Sequence, residues 1–118
     1  MNLDKVKIAV FGLGYVGLPL AIEFSKKYSV IGFDINPIRV DELNSYKDIT
    51  NEVESEDIET QIKNKSLVLT SDLIKIKDCN IYIVTVPTPV DENKIPDLSY
   101  LLNASKQISH NLKKGDVV

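Results

Sequence analysis

Ile8-Ala9-Val10-Phe11-Gly12-Leu13-Gly14-Tyr15-Val16-Gly17-Leu18-Pro19 is an apolar run that meets three glycines spaced G-x-G-x-x-G and passes into a helical pattern. Unbroken apolar residues suit a strand covered on both faces of a parallel sheet. Gly12 lets the chain turn sharply off that strand. Gly14 leaves the backbone open to a pyrophosphate, and Gly17 lets the next helix pack closely on its neighbouring strand. Phosphates would rest against free amides at the helix N-terminus, where the macrodipole favours negative charge. A glycine-rich packing turn accounts for the glycines alone, so the surroundings must decide.

Those surroundings fit. A second apolar run, Val30-Ile31-Gly32-Phe33, ends at Asp34, which falls 20 positions after Gly14. A carboxylate at a strand tip can accept hydrogen bonds from the adenosine ribose hydroxyls and repels a 2′-phosphate, so it favours NAD over NADP. The plain alternative is an aspartate that merely ends a strand. Ile35-Asn36-Pro37 supply no cation for a phosphate. Arg39 comes slightly later, in the first turn of the next helix, where a solvent-facing side chain is the simple reading.

The remaining pattern alternates strands with helices. Strands are expected at Lys7–Phe11, 30–34, Leu67–Thr70 and 81–86, and helices at 15–27, Pro37–Asn44 and 55–64. In the first helix Val16, Leu20, Ala21 and Phe24 recur at helical spacing. Asn36 is the expected N-cap of the second helix with Pro37 at its first position, and Ile38 and Leu43 are its expected inward residues. Asp72 caps a brief helix through Lys77. After a loop at 87–96, Asp97 caps a helix reaching Leu112, with Leu98, Leu101, Leu102, Ile108 and Leu112 on the buried side. Such alternation implies right-handed crossovers and an α/β fold, a doubly wound parallel sheet of Rossmann-like kind in strand order 3-2-1-4-5.

Ligands of such sheets bind at the strands' carboxyl ends, where the order reverses between strands one and four. This sets the glycine turn beside Val86-Pro87-Thr88-Pro89, whose prolines stiffen the loop. Thr88 offers a hydroxyl there, or bonds its local backbone as turn threonines do.

Composition narrows the classes. With 118 residues the chain is one domain, and 43% hydrophobic with 26% charged residues describes an ordinary globular protein. A net charge of −3 leaves no basic stripe for nucleic acid. The apolar runs are too short to span a bilayer, and Met1-Asn2-Leu3-Asp4-Lys5 has no apolar leader segment, so the cytoplasm is expected. A single cysteine, Cys79, excludes an internal disulfide and a cysteine-based zinc site. The polar, acidic stretch 45–66, with Asp48, Glu52, Glu54, Glu56, Asp57 and Glu59, reads as carrying a solvated helix around 55–64 rather than a metal site. Gly115-Asp116-Val117-Val118 opens a fifth strand, so residues 1–118 are expected to form the N-terminal NAD-binding portion of a longer enzyme. Unpaired backbone groups at the edge near Val117 and Val118 would invite self-association; a homo-oligomer is expected as well.

Taken together, Gly12 to Pro19, Gly32-Phe33-Asp34-Ile35-Asn36 and Val86-Pro87-Thr88-Pro89 resemble the nucleotide-sugar 6-dehydrogenases, the UDP-glucose, UDP-N-acetylhexosamine and GDP-mannose group. Pro96-Asp97-Leu98 and Lys113-Lys114-Gly115-Asp116 extend the resemblance along nearly the whole chain. Cys79-Asn80-Ile81-Tyr82-Ile83-Val84-Thr85-Val86 looks most like bacterial enzymes acting on UDP-N-acetylglucosamine or UDP-N-acetylgalactosamine. The resemblance implies NAD contacts at Gly12, Gly14, Tyr15, Val16, Gly17, Asp34, Arg39, Pro87 and Thr88. It also implies oxidation of a sugar C6 alcohol to a carboxylate with two NAD, through a cysteine thiolate lying beyond Val118, in surface polysaccharide biosynthesis. Cys79 is expected to be a buried packing residue and not that nucleophile. His110 lies on the polar side of the last helix without a partner acid. Two alternatives remain open: a β-hydroxyacid or 6-phosphogluconate-type dehydrogenase domain, and a module that senses NAD or NADH without chemistry.

Overall fold

Four parallel strands, β1 (Lys7–Phe11), β2 (Ser29–Phe33), β3 (Leu67–Thr70) and β4 (Ile81–Val84), lie in the order 3-2-1-4 in the computed structural model, which describes residues 3–118. Met1 and Asn2, at the head of the stretch read for a leader, lie outside the described residues. Helices α1 (Gly17–Ser25), α2 (Pro37–Asn44), α3 (Ser55–Lys63) and α4 (Ser99–Ser109) connect or follow the strands, with 3₁₀ turns at Leu3–Lys5 and Leu73–Ile76.

Alternation along β1 builds the two sides of the core. Ile8 and Val10 join Leu18, Ala21 and Ile22 of α1 and Ile58 of α3 on one face. Ala9 and Phe11 join Ile76, Cys79, Tyr82 and the α4 residues Ala104 and Ile108 on the other. Phe11 stands in register with Phe33 on β2, and their ring centroids lie 5.0 Å apart.

After α4 the chain returns to the sheet beside β4. Ile81 and Val117 form one parallel bridge; the Tyr82 amide donates to the Val117 carbonyl at 2.8 Å, and the Val117 amide to the Asn80 carbonyl at 3.0 Å. This is the place expected for the fifth strand, and a bridge stands there instead of a strand.

Local signals set several boundaries. The Asn36 side chain accepts the Ile38 amide at 3.0 Å and Pro37 opens α2, as expected. The Asp72 side chain caps the Leu73–Ile76 turn through the Ile74 amide. α1 begins at Gly17 rather than residue 15, because Val16 is its N-cap and the preceding residues belong to the glycine turn.

The inward faces of two helices differ from expectation. In α2 Val40 and Leu43 are buried while Ile38 is exposed. In α4 Ala104 and Ile108 face the sheet, while Leu98, Leu101, Leu102 and Leu112 are exposed. Ile38 and Leu102 each precede a buried residue by two positions, about 200° around a helix, so they cannot share its face. Leu98 is the N-cap of α4 and Leu112 lies past its end.

Candidate functional site

The chain leaves β1 and turns through Gly12, whose φ of 93° lies in the left-handed region. A Cβ at that position would stand 2.8 Å from the carbonyl oxygen of Thr85. The Thr85 hydroxyl lies 2.9 Å from the Phe11 carbonyl oxygen and 2.8 Å from that of Gly12, so the end of β4 pins the turn. Gly17 is buried beneath it. A Cβ on Gly17 would collide with the Gly12 carbonyl and the Thr85 hydroxyl. The tight helix packing expected of Gly17 is therefore a contact with the turn itself and with Thr85. Gly14 is the opposite case: nothing lies within 4 Å of the position its Cβ would take.

The start of α1 offers donors. The Leu18 amide bonds to the Gly14 carbonyl at 3.2 Å and the Leu20 amide to the Val16 carbonyl at 3.3 Å. Pro19 has no N–H. Among the described residues no protein acceptor takes the amides of Tyr15, Val16 or Gly17. These are the orphan donors of a helix N-terminus.

A cleft of about 790 Å³ opens over this turn, at the carboxyl ends of β1 and β4. Gly12, Gly14, Tyr15 and Val16 line it from the turn, Asp34 and Arg39 from the β2–α2 side, and Pro87 and Thr88 from the segment after β4. Tyr15, Val16, Pro87 and Thr88 are exposed. Of the nine residues named from sequence, Gly17 alone does not line the cleft. The local backbone bond weighed for the Thr88 hydroxyl is not among those formed by the described residues.

Asp34 and Arg39 meet at Leu13. One Asp34 oxygen accepts the Leu13 amide at 2.9 Å and the other accepts the Asn36 amide at 2.9 Å. Each carboxylate oxygen keeps acceptor capacity for a ligand hydroxyl. Arg39 is far from solvent-facing, with its side chain 13% exposed. Its Nε donates to the Leu13 carbonyl at 2.8 Å, and its Nη1 pairs with Glu42 and, at 3.0 Å, with Asp48. Its Nη2 is buried without a partner among the described residues.

Asp48, grouped with the acidic residues of the 45–66 stretch but outside the expected solvated helix at 55–64, is buried. Its side chain is 1% exposed, and it accepts the Thr50 hydroxyl at 2.6 Å and the amides of Thr50, Glu52 and Val53 at 3.0, 2.8 and 3.2 Å. Burial pushes its carboxyl upward, but the Thr50 hydroxyl, the Glu52 amide and Arg39 outweigh it and hold it below the ordinary value of 3.8. The local signal was the Asp48-Ile49-Thr50 spacing, a sequence apt to form side-chain-to-backbone bonds. Thr85 was missed too, as were Ser99, Asn103 and Gln107, which line the cleft from α4. Their four-residue spacing on one helix face was legible.

The remaining reactive groups stand apart. Cys79 is 2% exposed, and burial pushes its thiol up to about 11. It is a packing residue, as expected. His110 is exposed at the C-cap of α4. Among the described residues no cluster of three or more His, Cys, Asp or Glu could hold a metal. No helix among them is long and apolar enough to cross a membrane.

The open space at Gly14, the unclaimed amides behind it and the carboxylate at the tip of β2 suit a diphosphate joined to a ribose. The fold and cleft thus define a dinucleotide-binding α/β domain. Residues 6–118 match the NAD-binding domain of the UDP-glucose/GDP-mannose dehydrogenase family. The chain is 51% identical over 116 residues to a UDP-N-acetyl-D-glucosamine 6-dehydrogenase of Pseudomonas aeruginosa, covering 98% of this chain and 27% of that protein. Identity to the protein of the same name from Salmonella typhi is 47% over 117 residues, covering 99% and 27%. Among solved structures, a UDP-D-ManNAc dehydrogenase from Pyrococcus horikoshii superposes with a TM-score of 0.88 at 33% identity, covering 95% of this chain and 27% of that one. The GDP-mannose dehydrogenase of Pseudomonas aeruginosa, solved as a ternary complex, gives 0.79 at 28% identity, covering 91% and 25%. The chain belongs to the UDP-glucose/GDP-mannose dehydrogenase family, as an NAD-binding domain, and spans about a quarter of the length of the relatives it matches.

Proposed function

We propose that this chain is the NAD-binding portion of a longer UDP-sugar 6-dehydrogenase that oxidises the C6 alcohol of UDP-N-acetylglucosamine or UDP-N-acetylgalactosamine to the uronic acid, using two NAD. Its place is the cytoplasm, as a homo-oligomer serving surface polysaccharide biosynthesis. The observation that carries this reading is the near-half identity, along nearly the whole chain, to two enzymes named for UDP-N-acetyl-D-glucosamine.

NAD, when bound, supplies the hydride acceptor. The amides of Tyr15, Val16 and Gly17 at the head of α1 would hold its diphosphate, and the bare Cα of Gly14 would let the diphosphate approach. Asp34 would accept from the ribose hydroxyls, and Arg39 would border them from the same side of the cleft. Pro87 and Thr88 would border the nicotinamide end. Cys79, buried and with its thiol pushed up to about 11, is unsuited to be the nucleophile for the aldehyde stage, which in this reading is supplied by the rest of the longer enzyme.

The test is a chimera in which this chain replaces the matching segment of the Pseudomonas aeruginosa relative. It should oxidise UDP-N-acetylglucosamine with NAD, and a folded, sugar-binding but inactive chimera would defeat the reading. The 118-residue protein by itself should show no turnover.

A further inference from the structure

Arg39 poses a question that the glycine motif does not answer. An arginine shortly after the second strand is the type of residue that accommodates a 2′-phosphate in NADP-binding domains. Here it lines the same cleft as Asp34, and the two side chains bind the carbonyl and the amide of the same residue, Leu13. By position alone Arg39 should offset the repulsion that Asp34 exerts on a phosphorylated ribose.

Its surroundings prevent that. Nη1 is shared between the carboxylates of Glu42 and Asp48, both largely shielded from water. Asp48 is itself fixed by three amides and the Thr50 hydroxyl, so it cannot swing away. One guanidinium therefore faces two paired carboxylates, with Asp34 as a third acidic group bound to the amide of the same Leu13. The one nitrogen without a partner among the described residues, Nη2, is itself buried, and the charge of the guanidinium is already compensated by the two carboxylates. A guanidinium compensated in this way does little for a phosphate dianion.

We propose that Glu42 and Asp48 are specificity-determining residues that select NAD over NADP by cancelling the charge of Arg39. This rests on the reading of the cleft as the NAD site. Discrimination is then a difference between two affinities produced by placed repulsion as well as by attraction.

Calorimetry with NAD and NADP on the protein and on Glu42→Gln tests this. The Glu42 side chain bonds Arg39 and, among the described residues, no backbone group, so the variant keeps the turn and frees part of the guanidinium charge. The ratio of the two dissociation constants should narrow by about five- to tenfold, chiefly through tighter NADP binding. Adding Arg39→Gln to Glu42→Gln should restore the preference for NAD. Asp48→Asn provides a second reading of the same ratio. An unchanged ratio, or both nucleotides weakened in parallel, overturns the proposal. If the unsubstituted protein binds neither nucleotide, the reading of the cleft falls and the proposal falls with it. If it binds NAD and the ratio does not move, only the proposal falls.

Discussion

The carboxylate of Asp34 takes the amide hydrogen of Leu13 at 2.9 Å, so the residue expected to grip the ribose also braces the glycine turn. Asp34→Ala should therefore do two things at once. NAD affinity should fall by about ten- to a hundredfold, the loss expected for hydrogen bonds to a charged group. Calorimetry checks this, and the preference over NADP should fall with it. A variant that binds NAD as tightly as before would remove Asp34 from the site.

Gly14 and Gly17 should separate binding from stability. Gly17→Ala forces a methyl group into the Gly12 carbonyl and the Thr85 hydroxyl, and should cost about 1–3 kcal/mol or more in urea unfolding. Gly14→Ala meets no atom of the protein, so the unfolding curve should barely move while NAD binding weakens. Equal loss of stability in both would contradict this assignment.

Asp48 should make stability depend on acid. Its folded carboxyl is held below 3.8, so its contribution is complete above that value and disappears as pH falls through the lower one. Asp48→Asn should cost about 1–3 kcal/mol at neutral pH. The gap between protein and variant, followed by urea unfolding, should close as the pH drops below about 4. A gap that stays constant to pH 2 would show that the charge is not what matters.

Cys79 should resist alkylation. With its thiol pushed up to about 11, little thiolate exists near neutrality, and burial blocks access as well. The reaction with iodoacetamide at pH 8 should run about a hundredfold slower than in denaturant. The raised value also ties stability to alkaline pH: the contribution is full below 9.0 and is lost as pH rises toward 11. Rapid native labelling would return Cys79 to the list of reactive residues.

Where a residue's role depends on chain neighbours, the sequence was easy to read. Asn36 and Pro37 mark the start of α2 by a cap and a fixed φ, and the apolar run from Ile8 to Phe11 can be covered only on both sides. Gly12, Gly14 and Asp34 were legible because their spacing follows from the turn's geometry. What escaped depends on partners distant in the chain. Periodicity finds an apolar stripe on α4 but not which side meets the sheet, so the small Ala104 was passed over for larger leucines. Thr85 stands 73 residues from the Gly12 carbonyl that its hydroxyl reaches, and nothing local announces it. Asp48 looked like one more acid of a polar stretch because its shelter comes from Arg39 and a folded-back loop.

Leu13 has its amide held by Asp34 and its carbonyl held by Arg39, so both polar backbone atoms of this residue are committed by folding. Ordering a free residue costs about 1–2 kcal/mol of conformational entropy, and here that cost is met before any nucleotide arrives. Sequence drift in the 45–54 segment can therefore be heard at the first glycine turn through Arg39, far from where the ligand touches. Surveys of variants that score only direct contacts would miss those positions.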